Sequence, residues 1–447
     1  MIFVFYFFAA ILILLSYKSF RGGIEYLRFF KREIAKPISA YTPFVTVIAP
    51  CRGLDPGLEE NLRALFDQDY PVYEIIFVVD DLADPAAHVI SGLLNRGDAE
   101  TQKKEGGNPN GSEGVRPPGE ANREEHTPYR SCFRLFSASP RLCGKSRPSA
   151  RLVVAQKAEH SAQKIENLRE AVLHAGDNSE AFAFVDSDAR PSNGWLRYLV
   201  APLADKNVGA ATGYRWFISE KPTVASEMRV VWNASIASAL GPNTTSNFCW
   251  GGSMAIRRDV FERIEMREKW RGSLSDDFAV TRAMNEANLP IVFVPQALTA
   301  SIENCTFAEM LEFTNRQMKI TRVYAPKLWT RSLVGSALFN AVMIAALLIA
   351  ILDRTDIFAF LASITTIVLI TAFSTGKVWL RLKAVRLVLV NYEKELKNQL
   401  WTQTVLWLFA PAVFFYNSVA AWASRRMTWR GIRYELKSPT ETVIIAD

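Results

Sequence analysis

Four strongly apolar stretches near the two ends of this chain carry no charged side chain: Ile2–Tyr17, Ser332–Leu352, Ile357–Phe373 and Trp401–Ala423. A membrane-spanning helix needs about 20 apolar residues, so runs of this length at both ends confine any ordinary globular fold to the middle. Ile2–Tyr17 is followed by Lys18, Arg21, Arg28, Lys31 and Arg32. A secretory signal carries its positive charge before the apolar run and a small-residue cleavage site after it. The order here is the reverse, and it predicts an uncleaved anchor over residues 1–20 with its C-terminal flank in the cytoplasm. A buried core helix is the alternative. Ser332–Leu352 and Ile357–Phe373 are separated only by Asp353–Asp356, which reads as a transmembrane hairpin. Trp401–Ala423 has Pro411 near its middle and basic residues on both sides, in Lys377–Lys397 and at Arg425, Arg426, Arg430 and Arg433. One straight span cannot leave both flanks in the cytoplasm. Either this run is re-entrant or interfacial, or one flank breaks the rule. The expected organisation is an anchor at 1–20, a catalytic domain at 42–330, membrane or interfacial helices at 331–424 and a basic tail at 425–447.

The 447 residues carry 52 Lys and Arg against 45 Asp and Glu, a net charge of +7, and the mixed charges of Arg96–Ala150 do not argue for nucleic acid. Cys51, Cys132, Cys143, Cys249 and Cys305 form no C-x-x-C pair, which excludes a zinc module and suits a reducing compartment.

Strands and helices alternate in the middle. Phe44–Ala49 and Glu74–Val79 are β-branched apolar runs of strand length, and Leu58–Gln68 between them places Leu58, Leu62, Leu65 and Phe66 on one helical face. The pattern resumes with Arg151–Ala155, a helix over Gln163–Ala175, and strands at Ala181–Val185, Val208–Gly213 and Ile291–Val294. Such alternation predicts right-handed crossovers and an open α/β sheet with its ligands at the strands' carboxyl ends. Arg96–Ala150 breaks the pattern, being rich in Gly, Pro, Asn and mixed charge. It reads as an inserted disordered segment at 97–149.

Three acidic pairs fall at the edges of these elements. Asp80 and Asp81 end one strand, Asp186 and Asp188 end another, and Asp276 and Asp277 open a helical stretch, Phe278–Ala287. Alternating carboxylates at a strand end can face a divalent cation and a ribose or sugar, and Mg²⁺ held by few carboxylates completes its shell with water and phosphate. Each pair alone reads as a solvated turn or a helix cap; three in this order point to a site.

Around them stand VTVIAPCRGLDPGLEENLRALFDQDYPVYEIIFVVDDLADPA (Val45–Ala86), AQKIENL with Lys164 and Asn167, the Gly251–Met254 turn, and MTWRGIRYEL (Met427–Leu436). These stretches resemble family 2 glycosyltransferases of the GT-A fold, in particular the ceramide glucosyltransferase-like branch, over nearly all the chain except Arg96–Ala150. The resemblance implies that Asp80 and Asp81 hold the nucleoside, that Asp186 and Asp188 hold Mg²⁺ or Mn²⁺, and that Asp277, beside Asp276, is the catalytic base. It also implies donor contacts from Lys164 and Asn167. The family's Gln/Arg-x-x-Arg-Trp motif corresponds to Arg316, Gln317, Lys319 and Arg322, with Ile320 where the family has Trp.

Sugar transfer from a nucleotide proceeds through an oxocarbenium-like transition state. The leaving diphosphate needs cations, here the metal, Lys164 and Arg316, and the attacking hydroxyl needs a base on the opposite face. The implied function is membrane-bound inverting transfer of a hexose, glucose by preference, from a UDP-sugar to a lipid hydroxyl, with a ceramide-like acceptor favoured and the catalytic domain cytoplasmic. A hopanoid, diacylglycerol or polyprenyl-phosphate acceptor is the alternative among enzymes, GDP-mannose the alternative donor, and an inactive membrane scaffold the alternative of another class.

Overall fold

The computed structural model describes residues 2–105, 148–352 and 355–445, and the side chains of 96–105 are outside that description. The chain starts with α1 (Ile2–Ile34), then β1 (Val45–Pro50), α2 (Leu58–Phe66), β2 (Tyr73–Val79), α3 (Pro85–Glu105) and β3 (Ser149–Val154). Next come α4 (Gln163–Ala171), β4 (Ala181–Phe184), α5 (Trp195–Val200), β5 (Ala210–Thr212), β6 (Arg215–Ile218) and α6 (Val224–Ala237). The domain continues with β7 (Met254–Arg257), α7 (Arg258–Arg263), α8 (Met266–Lys269), α9 (Asp276–Glu286), β8 (Ile291–Phe293), β9 (Thr299–Ile302) and α10 (Phe307–Tyr324). The insertion expected at 97–149 lies mostly outside the described residues; its first residues, to Glu105, are helical in α3 rather than structureless.

Seven strands form one sheet in the order β3-β2-β1-β4-β7-β5-β8. The expected open α/β architecture is present, with one difference: β7 runs antiparallel to both β4 and β5. Its four residues, Met-Ala-Ile-Arg, are too few to announce a strand. Every residue of β1 and β2 is buried, as a parallel sheet covered on both faces requires. Their alternate residues feed two cores, with Val45, Val47, Ile75 and Phe77 on one face and Ile48, Ile76 and Val78 on the other. A smaller parallel pair, β6 and β9, lies beside the sheet.

Among the described residues, three helices are long and apolar enough to cross a membrane: α1, α11 (Pro326–Leu352) and α12 (Ile357–Arg386). The last apolar run is divided between α13 (Glu393–Leu406) and α14 (Ala410–Ala423), bent by 73° at a short break, as in a broken span or a re-entrant loop. Pro411 sits in the first turn of α14, where its missing N–H costs nothing; farther inside a continuous helix it would remove a bond and clash.

Neither membrane boundary is a linker. The anchor expected to end at residue 20 continues as α1 to Ile34, and its Tyr26, Phe29 and Phe30 are buried in the sheet's core. Phe29 stacks on Phe293 of β8 at 6.0 Å. Val378, Leu382 and Val385 of α12 join the same core. The segment expected as a basic tail is an antiparallel sheet of β10 (Arg426–Trp429), β11 (Ile432–Ser438) and β12 (Glu441–Ile444). Its Met427, Tyr434 and Leu436 are buried in the second core, and the Tyr434 hydroxyl accepts a hydrogen bond from the Gln163 N–H at 3.3 Å.

Candidate active site

A cavity of about 1070 Å³ opens at the carboxyl ends of β1 and β4, the edge where open α/β sheets bind ligands. Asp186 and Asp188 follow β4 directly and face it. Lys164, in the first turn of α4, lies 2.7 Å from Asp186 Oδ1 and 2.9 Å from Asp276 Oδ1. Asp276 and Asp277 open α9. Their approach depends on Gly251, because a Cβ there would collide with the Asp276 carboxylate and press on Lys164 Nζ. Asp277 lines the cavity. Its Oδ1 accepts hydrogen bonds from the Ser275 hydroxyl and, at 2.7 Å, from the Phe278 N–H.

The electrostatics follow from burial. Asp276 is pushed up to about 6, first by desolvation and then by Asp277 and Asp186, against the pull of Lys164. Burial alone would lower the Lys164 ammonium, but Asp186 and Asp276 outweigh it and hold the group above its ordinary value. Burial likewise opposes ionisation of Asp188, yet Arg215, then Arg430 and Lys164, keep it below the usual carboxylate range. Arg316 is lowered to about 10 by desolvation.

The cavity gathers Lys164, Asn167, Asp186, Asp188, Asp276, Asp277, Arg316 and Gln317 of the residues expected from sequence. Four others are placed elsewhere. Asp80 is buried under Arg52 and bonded to Lys157 at 3.1 Å; it is Arg52 that reaches the cavity. Asp81 is half exposed, 3.0 Å from Lys157. Both end β2, one strand farther from the cavity than β4. On α10, helical spacing turns Phe313, Arg316, Gln317, Ile320 and Tyr324 towards the cavity. Lys319 and Arg322 therefore face other elements. Lys319 donates to the Arg426 carbonyl at 2.6 Å. Arg322 caps the end of α14 through the Ala421 and Trp422 carbonyls at 2.6 and 2.9 Å, over the Trp329 ring.

Three residues of the cavity were given no site role by the sequence reading. Arg215, at the start of β6, clamps Asp188 at 3.0 Å and Asp186 at 3.3 Å, with its guanidinium 4.8 Å from the Trp250 ring. Trp429 and Arg430 come from the C-terminal sheet. Arg430 pairs with Asp55 at 2.6 Å and donates to the Arg52 carbonyl at 3.3 Å. Trp429 packs its ring 5.7 Å from the Arg316 guanidinium. Arg430 and Gly431 form a two-residue turn with φ of 52° and 78°, the left-handed pair that tight hairpins need. A Gly flanked by strand-like MTW and IRYEL was the available signal.

The carboxylates at the end of β4 fit a divalent cation. Asp188 Oδ1 is buried without a protein partner, and no cluster of three or more possible ligands occurs among the described residues. An ion there would be held by one or two carboxylates, with phosphate and water completing its shell.

Comparison with known proteins gives the chain's family. A fragment is 33% identical over 78 residues to a ceramide glucosyltransferase of Komagataella phaffii, a match covering 17% of this chain and only 15% of that relative. Among solved structures, the mannosyltransferase PcManGT of Pyrobaculum calidifontis, in complex with GDP-Man and Mn²⁺, covers 92% of this chain and 99% of its own at 18% identity and a TM-score of 0.41. Glucosyl-3-phosphoglycerate synthase of Mycobacterium tuberculosis, with Mn²⁺ and UDP-glucose, covers 66% and 82% at 13% identity and a TM-score of 0.33. At such scores neither likeness bears on this chain's substrates. The model of glycosyl transferase family 21 matches residues 7–98 and 141–442. With most of its length matched, on both sides of the insertion, the chain belongs to glycosyl transferase family 21.

Proposed function

We propose that this membrane-bound glycosyltransferase transfers glucose from UDP-glucose to the hydroxyl of a ceramide-like lipid, with inversion at the anomeric carbon. The observation that carries the reading is one continuous cavity. It runs from Asp186, Asp188 and Asp277 to an apolar wall of Trp232, Phe313, Leu328 and Phe414 on helices that adjoin the membrane segments. A polar donor and an apolar acceptor can therefore meet without either leaving its own medium.

Asp277, aimed by Ser275, accepts the proton of the attacking hydroxyl. A single displacement by that hydroxyl gives inversion. Arg316 and Arg430 present guanidinium groups to the leaving diphosphate, where fork-shaped donors match phosphate oxygens. Lys164 is fixed between Asp186 and Asp276, so its charge stays in place as the bond to the sugar breaks. Asp186 and Asp188 would hold Mg²⁺ or Mn²⁺, which supplies further neutralisation of the diphosphate. The charge order around α1 supports a cytoplasmic catalytic domain, where nucleotide sugars and reduced thiols at the buried Cys51 and Cys249 are compatible.

The test is to supply nucleotide sugars to sealed membrane vesicles of both orientations and identify lipid products by mass spectrometry. Inverted vesicles should convert UDP-glucose and ceramide to glucosylceramide, and right-side-out vesicles should not. A product on a hopanoid, diacylglycerol or polyprenyl phosphate, or with GDP-mannose alone, would replace the acceptor or donor assignment. No product from any pairing would favour a scaffold.

Arg430→Asn removes a guanidinium from the cavity and leaves the buried Asp55 carboxylate without its ion-pair partner. Asn tolerates the left-handed backbone there better than Arg, but the unpaired carboxylate should lower the melting temperature. In the folded variant, KM for UDP-glucose should rise about tenfold or more, from loss of a charge-assisted contact. An unchanged KM would remove Arg430 from the donor site.

A further inference from the structure

A second cavity, of about 250 Å³, lies where α1, α11, α12 and α14 meet α6 of the catalytic domain. Its polar lining is unusual in kind: Ser16, Ser19, Ser235 and Ser374 supply hydroxyls, and Lys377 and Arg381 supply two cations one helical turn apart. The large cavity shares only Ser235 and Phe414 with it. Lys377 donates to Ser19 Oγ at 2.8 Å. Arg381 is 3% exposed and donates to Gln403 Oε1 at 3.0 Å and Ser238 Oγ at 3.5 Å, while its Nε has no partner. All these partners are neutral. Among the described residues no carboxylate pairs with either cation.

Burying a charge without a counter-charge is costly, and hydroxyl and amide dipoles offset only part of that cost. Two like charges in one small cavity raise it further. Such an arrangement persists when an anion completes it. Hydroxyl donors around a Lys and an Arg are the chemistry that recognises phosphate, and the volume admits one phosphate group. The cavity is also level with the start of the basic flank on α1, since Lys377 packs against Gly23, just beyond Lys18 and Arg21. There the apolar run of α1 gives way to charge, as membrane helices do at headgroup depth, and basic pockets between membrane helices take anionic lipids. Leu15, Phe339 and Trp407 line the same space and offer apolar surface that a free ion would not use.

We propose that this cavity binds the phosphodiester headgroup of an anionic membrane lipid, clamping the anchor, the transmembrane hairpin and the catalytic domain together. The site is separate from the sugar-transfer reading and does not depend on it.

The full-length protein, purified in neutral detergent, should be titrated with phosphatidylglycerol, with phosphatidylcholine and with inorganic phosphate, following its melting temperature. Phosphatidylglycerol should raise the melting temperature and phosphatidylcholine should not. Arg381→Gln should weaken the phosphatidylglycerol response about tenfold or more in concentration. A response to inorganic phosphate as strong as to phosphatidylglycerol would assign the same site to the free ion and overturn the lipid. Should Arg381→Gln fail to fold, Lys377→Met gives the same reading, because it removes an unpaired charge and packs a similar stem. Native mass spectrometry of wild type released from mixed phosphatidylcholine and phosphatidylglycerol nanodiscs should retain phosphatidylglycerol selectively. Equal retention of both lipids, or equal responses of wild type and variant, would refute the site.

Discussion

Asp277→Asn is expected to lower kcat for sugar transfer by about 10²–10⁴-fold, the usual loss when a general base is removed, while calorimetry with UDP-sugar shows binding close to wild type. The amide has the carboxylate's shape, so it can still take the hydrogen bonds from Ser275 and the Phe278 N–H, and α9 should start where it does now. What it cannot do is accept the hydroxyl proton. The defect should therefore appear in turnover and leave donor affinity alone. Asp276→Asn makes the informative contrast. That residue is buried and holds Lys164 at 2.9 Å, so its replacement should disturb donor binding as well. Unchanged turnover in Asp277→Asn would transfer the base role elsewhere.

The second large effect is expected from Asp188→Asn. In wild type, UDP should bind measurably only with Mg²⁺ or Mn²⁺ present, and chelation should abolish both binding and transfer. The variant should lose the metal-dependent part, with transfer falling by about 10²-fold or more. Asp188 also neutralises Arg215, so the variant leaves a buried guanidinium short of one partner, and some loss of stability should accompany the lost binding. A melting curve distinguishes the two effects, since added metal should stabilise wild type and not the variant. Equal UDP binding with and without metal in wild type would overturn the assignment of Asp186 and Asp188.

Much of this arrangement was legible in the residues. Strands β1, β2 and β4 were visible because each is a run of apolar residues buried on both faces, a pattern few other elements share. The acidic pair at the end of β4 was visible because a strand fixes where its last residues point. Four of the expected residues lie outside the cavity for related reasons. Asp80 and Asp81 end a strand as Asp186 and Asp188 do, but sequence does not give strand order, and β2 ends farther from the cavity. Lys319 and Arg322 share a motif with Arg316, yet helical phase turns them to α14 and β10. Arg430 lies 375 residues from its partner Asp55 (430 − 55), and no local pattern predicts a long-range ion pair. The C-terminal strands were hidden by their charge, since Arg425, Arg426, Arg430 and Arg433 resemble a solvated tail until Tyr434 and Leu436 are seen packed inside.

The continuity of α1 has a mechanical consequence. At about 1.5 Å per residue, its 33 residues make a rod of about 50 Å, with one end in the lipid and the other locked to Phe293. A hinge between bilayer and catalytic domain would let the domain bob to different heights. A rod sets both altitude and compass bearing. Each residue inserted into it would lift the domain and swing it by about 100°, throwing Phe29 and Phe30 off their seats. The mouth of the cavity is thus gauged to a single plane. When the bilayer thickens or thins, the whole protein must lean to follow it, because no part of the support can stretch.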